Sequence, residues 1–130
     1  MMKNGKPKKI FIVDDDEMLA EALQDYLSRK GGHDIQSFHT GEECLERLSD
    51  GPEIIILDFY LNTVQANAAN GMEILQSIKK HNPHIHIIML SSQERYGVAM
   101  QTIQKGAEQY VIKDENAFEK IAQMVNEMDN

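Results

Sequence analysis

Five short apolar runs alternate along the chain with longer segments in which apolar residues recur every three or four positions. The runs cover residues 10–13, 35–38, 54–57, 85–90 and 109–112. Short runs rich in β-branched residues predict buried strands, and the longer period predicts amphipathic helices. Strands that alternate with helices are typical of a parallel sheet covered on both faces. The pattern therefore predicts an α/β chain of the doubly wound (βα)5 type.

Several positions indicate where the helices begin and end. Thr40 with Glu43 forms a capping box that predicts the start of the second helix, and Asn70 with Glu73 offers a similar start to the third. Three helices should end at a breaker: at Gly31 and Gly32, before Pro83, and before Gly106. The fourth helix is predicted over residues 94–105, and the fifth has Phe118, Ile121, Ala122 and Val125 on its apolar face.

Carboxylates follow the two most apolar runs, which we predict to be central strands. The first run leads into Asp14, Asp15 and Asp16, and the third ends at Asp58. The carboxyl ends of neighbouring parallel strands share one edge of the sheet, where open α/β sheets place their sites. Carboxylates so close together would raise one another's pKa values unless a cation lay among them. A Mg²⁺ ion with an incomplete set of protein ligands, as in phosphoryl transfer, suits this arrangement.

Length and composition narrow the class of protein. The 130 residues suit one domain, and 42% hydrophobic with 26% charged residues is typical of a globular chain. The net charge of −8 disfavours direct binding to nucleic acid or anionic lipid. The basic cluster of Lys3, Lys6, Lys8 and Lys9 falls at a polar leader, expected to be flexible over residues 1–8, with the domain over 9–130.

Cys44 is the only cysteine, so no disulfide can form within the chain, and its apolar helical setting predicts a buried thiol. A reducing cytoplasm fits this cysteine count. Neither a signal-peptide core nor a stretch of membrane-spanning length is present in the sequence. We therefore expect a cytoplasmic protein.

Four motifs in order resemble those of response-regulator receiver domains of two-component signalling. They are Ile-Phe-Ile-Val-Asp14-Asp15, Ile-Ile-Ile-Leu-Asp58, Ile-Met-Leu-Ser91-Ser92 and Gly106-Ala-Glu-Gln-Tyr110-Val-Ile-Lys113. Each motif is weak alone, but each lies at or just beyond the end of a predicted strand. The resemblance spans about residues 8–127 and implies a CheY-like fold with strand order 2-1-3-4-5.

The resemblance also implies a role for individual residues. Asp58 would accept the phosphoryl group, and Mg²⁺ or Mn²⁺ would be bound by Asp15, by Asp58, by the main-chain carbonyl of Tyr60 and, through water, by Asp14. Lys113 would contact the phosphoryl oxygens and Ser91 would hydrogen-bond the group. Tyr110 would turn inward as Ser91 moves. The changed surface would be the fourth helix, fifth strand and fifth helix.

The same resemblance implies a signalling switch that assists only its own phosphorylation and dephosphorylation, and not an enzyme acting on other substrates. The expected partners are a sensor histidine kinase or a phosphotransfer protein and a downstream protein or output domain. A second copy bound through the fourth helix, fifth strand and fifth helix is a further expected partner.

The chain departs from the family at three places. The connection after Asp58, over residues 59–70, is longer than usual and lacks a common proline, and it is either a passive insertion or a specificity element for a kinase. Asp114 stands where a proline in a cis bond is usual; since a cis bond before another residue costs about 3–4 kcal/mol, we predict a trans Lys113–Asp114 bond. Tyr60 and Gln93 occupy positions that tune the access of hydrolytic water, and bulky Tyr60 is expected to lengthen the phosphoryl lifetime.

Simpler explanations exist for several of these residues. Asp16 is expected only to cap the first helix. His84 and His86, which would share one face of the fourth strand, suggest a metal site with His81, but no carboxylate or cysteine lies at ligand spacing, so we interpret them as surface or rim residues. Ser91 could satisfy a strand-end backbone group, and Tyr110 could be an ordinary strand aromatic.

Three other functions fit part of the sequence. Asp14 and Asp16 after a strand resemble the nucleophile motif of haloacid-dehalogenase-type phosphatases, which need further acidic residues after a late strand. A flavodoxin-like electron carrier would cradle a phosphate in the first loop, where aspartates have the wrong charge. A pseudo-receiver that binds proteins without phosphorylation stays an alternative because of Asp114.

Overall fold

The computed structural model describes residues 6–59, 71–92 and 96–128. Five parallel strands form one sheet in the order β2-β1-β3-β4-β5. The strands are β1 (Lys9–Val13), β2 (Asp34–Phe38), β3 (Ile54–Asp58), β4 (His86–Ser91) and β5 (Gln109–Ile112). The helices are α1 (Glu17–Gly31), α2 (Gly41–Glu46), α3 (Gly71–His81), α4 (Tyr96–Gln104) and α5 (Ala117–Glu127), with a 3-10 turn at Leu48–Asp50. The predicted fold class and strand order are confirmed.

Two apolar cores lie on opposite faces of the sheet because successive strand side chains point to opposite sides. On one face, Ile10, Ile12, Ile54 and Ile56 pack with α1 and α5, through residues that include Leu23 and Ile121. On the other face, Phe11, Val13, Ile55 and Leu57 pack with α2 and α3, through residues that include Cys44 and Ile74. The central strands β1 and β3 are thus buried on both sides, which explains their unbroken apolar runs.

The predicted caps at Asp16, Gly32 and Thr40 form as expected, whereas Asn70, the predicted start of the third helix, lies outside the described residues. Asp16 accepts a hydrogen bond from the Leu19 N–H at 3.2 Å and begins α1, which confirms its capping role. Gly32 ends α1 with φ 65°, a left-handed conformation that favours glycine. At α2, the Glu43 N–H donates to Thr40 at 3.1 Å. The Asp16 and Thr40 caps end the loops that follow β1 and β2 at the carboxyl edge of the sheet.

Cys44 is fully buried against the core, and burial raises the pKa of its thiol to about 12. Cys44 is therefore the buried residue that the pattern predicted, and its raised pKa disfavours the reactive thiolate. No helix in the described part of the chain is long and apolar enough to cross a bilayer.

The prediction that His84 and His86 share one face of the fourth strand is wrong, because β4 begins only at His86. His84 lies before the strand and is exposed. His86 contacts the carboxylate of Glu108 across the β4–β5 edge. This carboxylate is far along the chain, so sequence spacing did not indicate it.

Lys8, inside the predicted leader, is only 7% exposed, and its N–H donates to His33 Nδ1 at 2.9 Å.

Candidate functional site

Three aspartates meet where β1 and β3 end side by side. Val13 and Leu57 are paired in register, so Asp14 and Asp58 are placed at the same edge. One carboxylate oxygen from each of Asp14, Asp15 and Asp58 lies within 4.8 Å of the others. Asp14 is 1% exposed and Asp58 is 3% exposed, whereas Asp15 is half-buried. The structure therefore brings together the carboxylates that the sequence placed at two separate strand ends.

Asp14 is held by hydrogen bonds of both its main chain and its side chain. Its N–H donates to the Phe38 carbonyl at 3.0 Å, and its Oδ1 accepts the Asp16 N–H at 2.9 Å. Its buried Oδ2 accepts no hydrogen bond from the described residues. Burial raises the pKa of Asp14, aided by the charge of Asp15 and opposed by the Asp16 hydrogen bond and the charge of Lys113. A buried carboxylate held in this way requires a positive charge beside it, and Lys113 Nζ lies 3.3 Å from its Oδ2.

Among the described residues, Lys113 contributes a positive charge next to these acids. Its Nζ lies 3.2 Å from Asp58 Oδ1 and 3.3 Å from Asp14 Oδ2. Burial alone would lower the pKa of Lys113, but the charges of Asp58 and Asp14 outweigh burial and raise it. The Lys113–Asp114 peptide bond is trans, as predicted. Lys113 reaches the acidic edge without the cis bond usual in the resembled family.

Ser91 lies on β4, the strand next to that of Asp58, and Tyr110 lies on β5, one strand further away. Ser91 is the last residue of β4 and is fully buried, and its carbonyl accepts the Lys113 N–H at 2.8 Å. Leu90, one residue before it, pairs in register with Asp58. Tyr110 of β5 pairs in register with Met89 of β4 and is half-buried against the core that contains Phe11. Ser91 thus belongs to the same edge as Asp58, and Tyr110 lies further back along β5.

Tyr60 and Gln93 lie outside the described residues, as do residues 61–70 of the long connection. The expected roles of Tyr60 as a metal ligand, and of Tyr60 and Gln93 in phosphoryl lifetime, stay predictions. The start of α3 after this connection is described. There the Gly71 N–H donates to the Phe59 carbonyl at 3.0 Å.

Gly71 is a residue whose part in the site the sequence did not reveal. A Cβ atom there would lie 2.6 Å from the carbonyl oxygen of Asp58 and 2.7 Å from Phe59 Cα. Contacts below 3.0 Å force the backbone to move. Gly71 therefore permits α3 to touch the main chain directly behind the Asp58 carboxylate. A glycine at the start of a helix after an acidic strand end was the available signal.

Comparisons with known proteins agree with this geometry. A family model described as "Response regulator receiver domain" matches residues 10–126. The chain is 26% identical over 113 residues to the response regulator protein VraR of Staphylococcus saprophyticus, covering 85% of this chain and 52% of VraR. It is 24% identical over 107 residues to the chemotaxis protein CheY of Thermotoga maritima, covering 82% of this chain and 85% of CheY.

Among solved structures, the chain is similar to the BeF3-activated receiver domain of DrrB from Thermotoga maritima. The TM-score is 0.79 at 27% identity, over 92% of this chain and 94% of the other. The chain spans about half or less of the length of several curated relatives that it matches. The similarity thus concerns one domain of those longer proteins.

Proposed function

Because this chain belongs to the response regulator receiver domains of two-component systems, we propose that it is a switch operated by phosphorylation of Asp58. The observation that carries the proposal is the position of Asp58. It ends a central strand, is 3% exposed, and lies beside Lys113 and close to the acids Asp14 and Asp15. A buried carboxylate can act as an oxygen nucleophile, and the lysine beside it provides a counter-ion for the negative charge of the phosphoryl group that it would accept.

In the proposed reaction, a carboxylate oxygen of Asp58 attacks phosphorus and forms an O–P bond. The bond from phosphorus to a histidine nitrogen of a kinase or phosphotransfer protein breaks, and its electron pair stays on that nitrogen. With a small donor such as acetyl phosphate, the broken bond is the one to the acetate oxygen. Lys113 Nζ, 3.2 Å from Asp58 Oδ1, would donate hydrogen bonds to the transferred phosphoryl oxygens and neutralise part of their charge.

The acidic cluster also fits a divalent ion, Mg²⁺ or Mn²⁺. One carboxylate oxygen from each of the three aspartates lies within 4.8 Å of the others, and two of the three side chains are buried. These hard oxygen donors suit Mg²⁺. We propose that Asp15 and Asp58 bind the ion directly, that Asp14 binds it through water, and that the Tyr60 carbonyl adds a ligand. Such an ion, when bound, neutralises charge on the phosphoryl oxygens and aligns the donor.

We propose that the signal spreads through Ser91 and Tyr110. Ser91 lies at the end of β4, one strand from Asp58, where a hydroxyl can donate to a new phosphoryl oxygen. Its movement would leave space that the half-buried Tyr110 can fill. The surface that changes is α4, β5 and α5, where Met100 is 45% exposed and Ile103 is 43% exposed. Exposed apolar side chains of this kind suit a protein partner.

The proposed partners are a histidine kinase or phosphotransfer protein as donor, and a downstream protein or output domain as receiver of the signal. A second copy can bind through the same α4–β5–α5 surface.

We further propose that the chain acts only on its own phosphoryl group, and that Tyr60 with Gln93 sets how long the group persists. Faster phosphoryl loss in Tyr60→Asn would support this; equal or slower loss would contradict it.

The proposed function is tested by incubating the chain with acetyl phosphate and Mg²⁺ and measuring its intact mass. We expect the mass of one phosphoryl group to be added, and the addition to disappear in Asp58→Asn and on metal removal. Asp16→Asn is the matched control, since Asp16 is exposed and caps α1 near the site. A chain that takes up no phosphoryl group is an interaction module independent of phosphorylation, and the proposal is then wrong.

A further inference from the structure

The turn between β5 and α5 is closed by Asp114, a residue to which the proposed function gives no role. The Lys113 N–H donates to the Ser91 carbonyl at 2.8 Å, which extends the β4–β5 pairing one residue past β5. The next N–H, that of Asp114, donates to the Ile112 carbonyl at 2.8 Å. The chain therefore reverses in three residues with Lys113 at the centre. No described non-glycine residue has positive φ, so this is the inverse γ-turn, which is common at strand ends.

The hydrogen bond that closes this turn requires an N–H at position 114. A proline, usual here in the family, has no backbone N–H and could not donate to Ile112. Asp114 donates this bond, and the peptide between Lys113 and Asp114 is trans. The direction in which Lys113 leaves the sheet is thus set in this chain by a hydrogen bond and not by a proline ring.

The remaining polar groups of Asp114 hold the far side of the turn. Its Oδ1 accepts the Asn116 N–H at 2.9 Å, and its carbonyl accepts the Ala117 N–H at 3.1 Å where α5 begins. A side chain that accepts a hydrogen bond from the backbone two residues on forms an Asx turn, which restricts the backbone locally. Asp114 Oδ2 lies 3.6 Å from Lys120 Nζ, but both side chains are nearly half exposed, so this ion pair contributes little.

We propose that Asp114 is a positioning residue for phosphoryl transfer to Asp58, acting through Lys113. Its main-chain N–H and its Asx turn fix the backbone from which Lys113 extends. From there the ammonium reaches Asp58 Oδ1 at 3.2 Å and Asp14 Oδ2 at 3.3 Å. Since a displacement of about 1 Å at a reacting centre can cost about 100-fold in rate, a loosened turn slows the reaction. The inference rests on the proposed function and extends it to a residue that touches no reacting atom.

The test compares initial rates of phosphorylation by acetyl phosphate with Mg²⁺ for the full chain and its variants. Asp114→Ala removes the Asx acceptor, and we expect it to slow the reaction about fivefold or more. Asp114→Asn keeps an acceptor oxygen at the same reach and should react like the wild type. Asp114→Glu keeps the charge on a longer side chain, which does not form the Asx turn, and should be slow. Glu115→Ala, which removes a neighbouring exposed charge, should have the wild-type rate.

A second comparison asks whether Asp114 acts through Lys113. In a Lys113→Ala background, adding Asp114→Ala should produce no further slowing, because the group that the turn positions is already absent. A further slowing of the same factor in that background would overturn the proposal. An Asp114→Asn variant as slow as Asp114→Ala would overturn it as well.

Thermal melting of each variant checks that it is folded. If Asp114→Ala does not fold, Asp114→Glu carries the same prediction, and a wild-type rate for Asp114→Glu overturns the proposal. Failure of the proposed function gives a different result. In that case the wild type itself gains no phosphoryl group, whereas failure of this inference alone leaves wild-type phosphorylation intact and Asp114→Ala as fast as the wild type.

Discussion

Replacing Lys113 with methionine removes the cation between two buried carboxylates and retains most of the side-chain length. In the wild type, Lys113 Nζ lies 3.2 Å from Asp58 Oδ1 and 3.3 Å from Asp14 Oδ2. With an effective dielectric constant of about 20, each contact is worth about 5 kcal/mol of Coulomb attraction before desolvation. Desolvation offsets much of this attraction, and Lys113 keeps 21% of its side chain exposed. We therefore expect Lys113→Met to lower the free energy of unfolding by about 2–3 kcal/mol without metal.

Lys9→Met is the matched control for this perturbation. Lys9 Nζ lies 3.4 Å from Asp34 Oδ2, nearly the same distance, but the Asp34 side chain is 70% exposed. A surface ion pair of this kind contributes about 0–1 kcal/mol. Urea denaturation of both variants in the presence of a chelator measures the difference. If Lys113→Met is no more destabilising than Lys9→Met, the buried ion pairs do not hold the site together.

Excess Mg²⁺ extends the same experiment. An ion that binds only the folded chain raises the free energy of unfolding, and it should do so more in Lys113→Met than in wild type because the lysine no longer competes for the carboxylates. The stability gap between the two proteins should therefore narrow. A gap that does not change with Mg²⁺ would refute the reasoning that the lysine and the metal share the same acids.

Two further predictions concern residues outside the catalytic set. Burial, and then the charge of Lys8, lower the pKa of His33 below 6.5 in the folded chain. Because the unfolded chain then binds the proton more tightly, the contribution of His33 to the free energy of unfolding should be constant above about pH 6.5. Below that pH it should fall until the pH passes the pKa of the folded chain. His33→Asn, whose oxygen can still accept the Lys8 N–H, should lose less stability between about pH 7.5 and about pH 5.5 than wild type, and an equal loss would contradict this. Gly71→Ala places a Cβ atom 2.6 Å from the Asp58 carbonyl oxygen and should destabilise the chain by about 1–3 kcal/mol and slow phosphorylation. Gly97→Ala, where nothing lies within 4 Å of the added atom, is its control, and equal effects of the two would contradict the expected clash.

The sheet could be predicted closely because its strands obey one simple physical rule. The central strands, buried on both faces, are apolar except at their end residues, and the edge strands β2 and β5 are apolar only in part. Each predicted run agrees with its strand to within one residue at either end. Helix ends were predictable where one residue satisfies a specific need, as Gly32 does with its left-handed φ and Thr40 does as an acceptor. The meeting of Asp14 with Asp58 could be predicted because neighbouring parallel strands end at one edge of a sheet.

What the sequence left open depends on contacts between distant segments. The pairing of His86 with Glu108 arises from the β4–β5 register, and the contact of Gly71 with the Asp58 main chain arises from the entry of α3. At Asp114 the sequence indicated only the loss of a proline. The hydrogen bond from its N–H, which turns the chain around Lys113, could not be inferred from residue types because it depends on backbone angles.

The central claim is that the carboxylate of Asp58 takes the phosphoryl group, and borohydride trapping tests it most directly. Borohydride reduces an acyl phosphate to an alcohol, so an aspartate that carries phosphate becomes homoserine. After treatment with acetyl phosphate and Mg²⁺ and then borohydride, peptide mass spectrometry should find homoserine at position 58 and unmodified aspartate at positions 14 and 15. Homoserine at position 14 or 15, or at none of the three, would contradict the account.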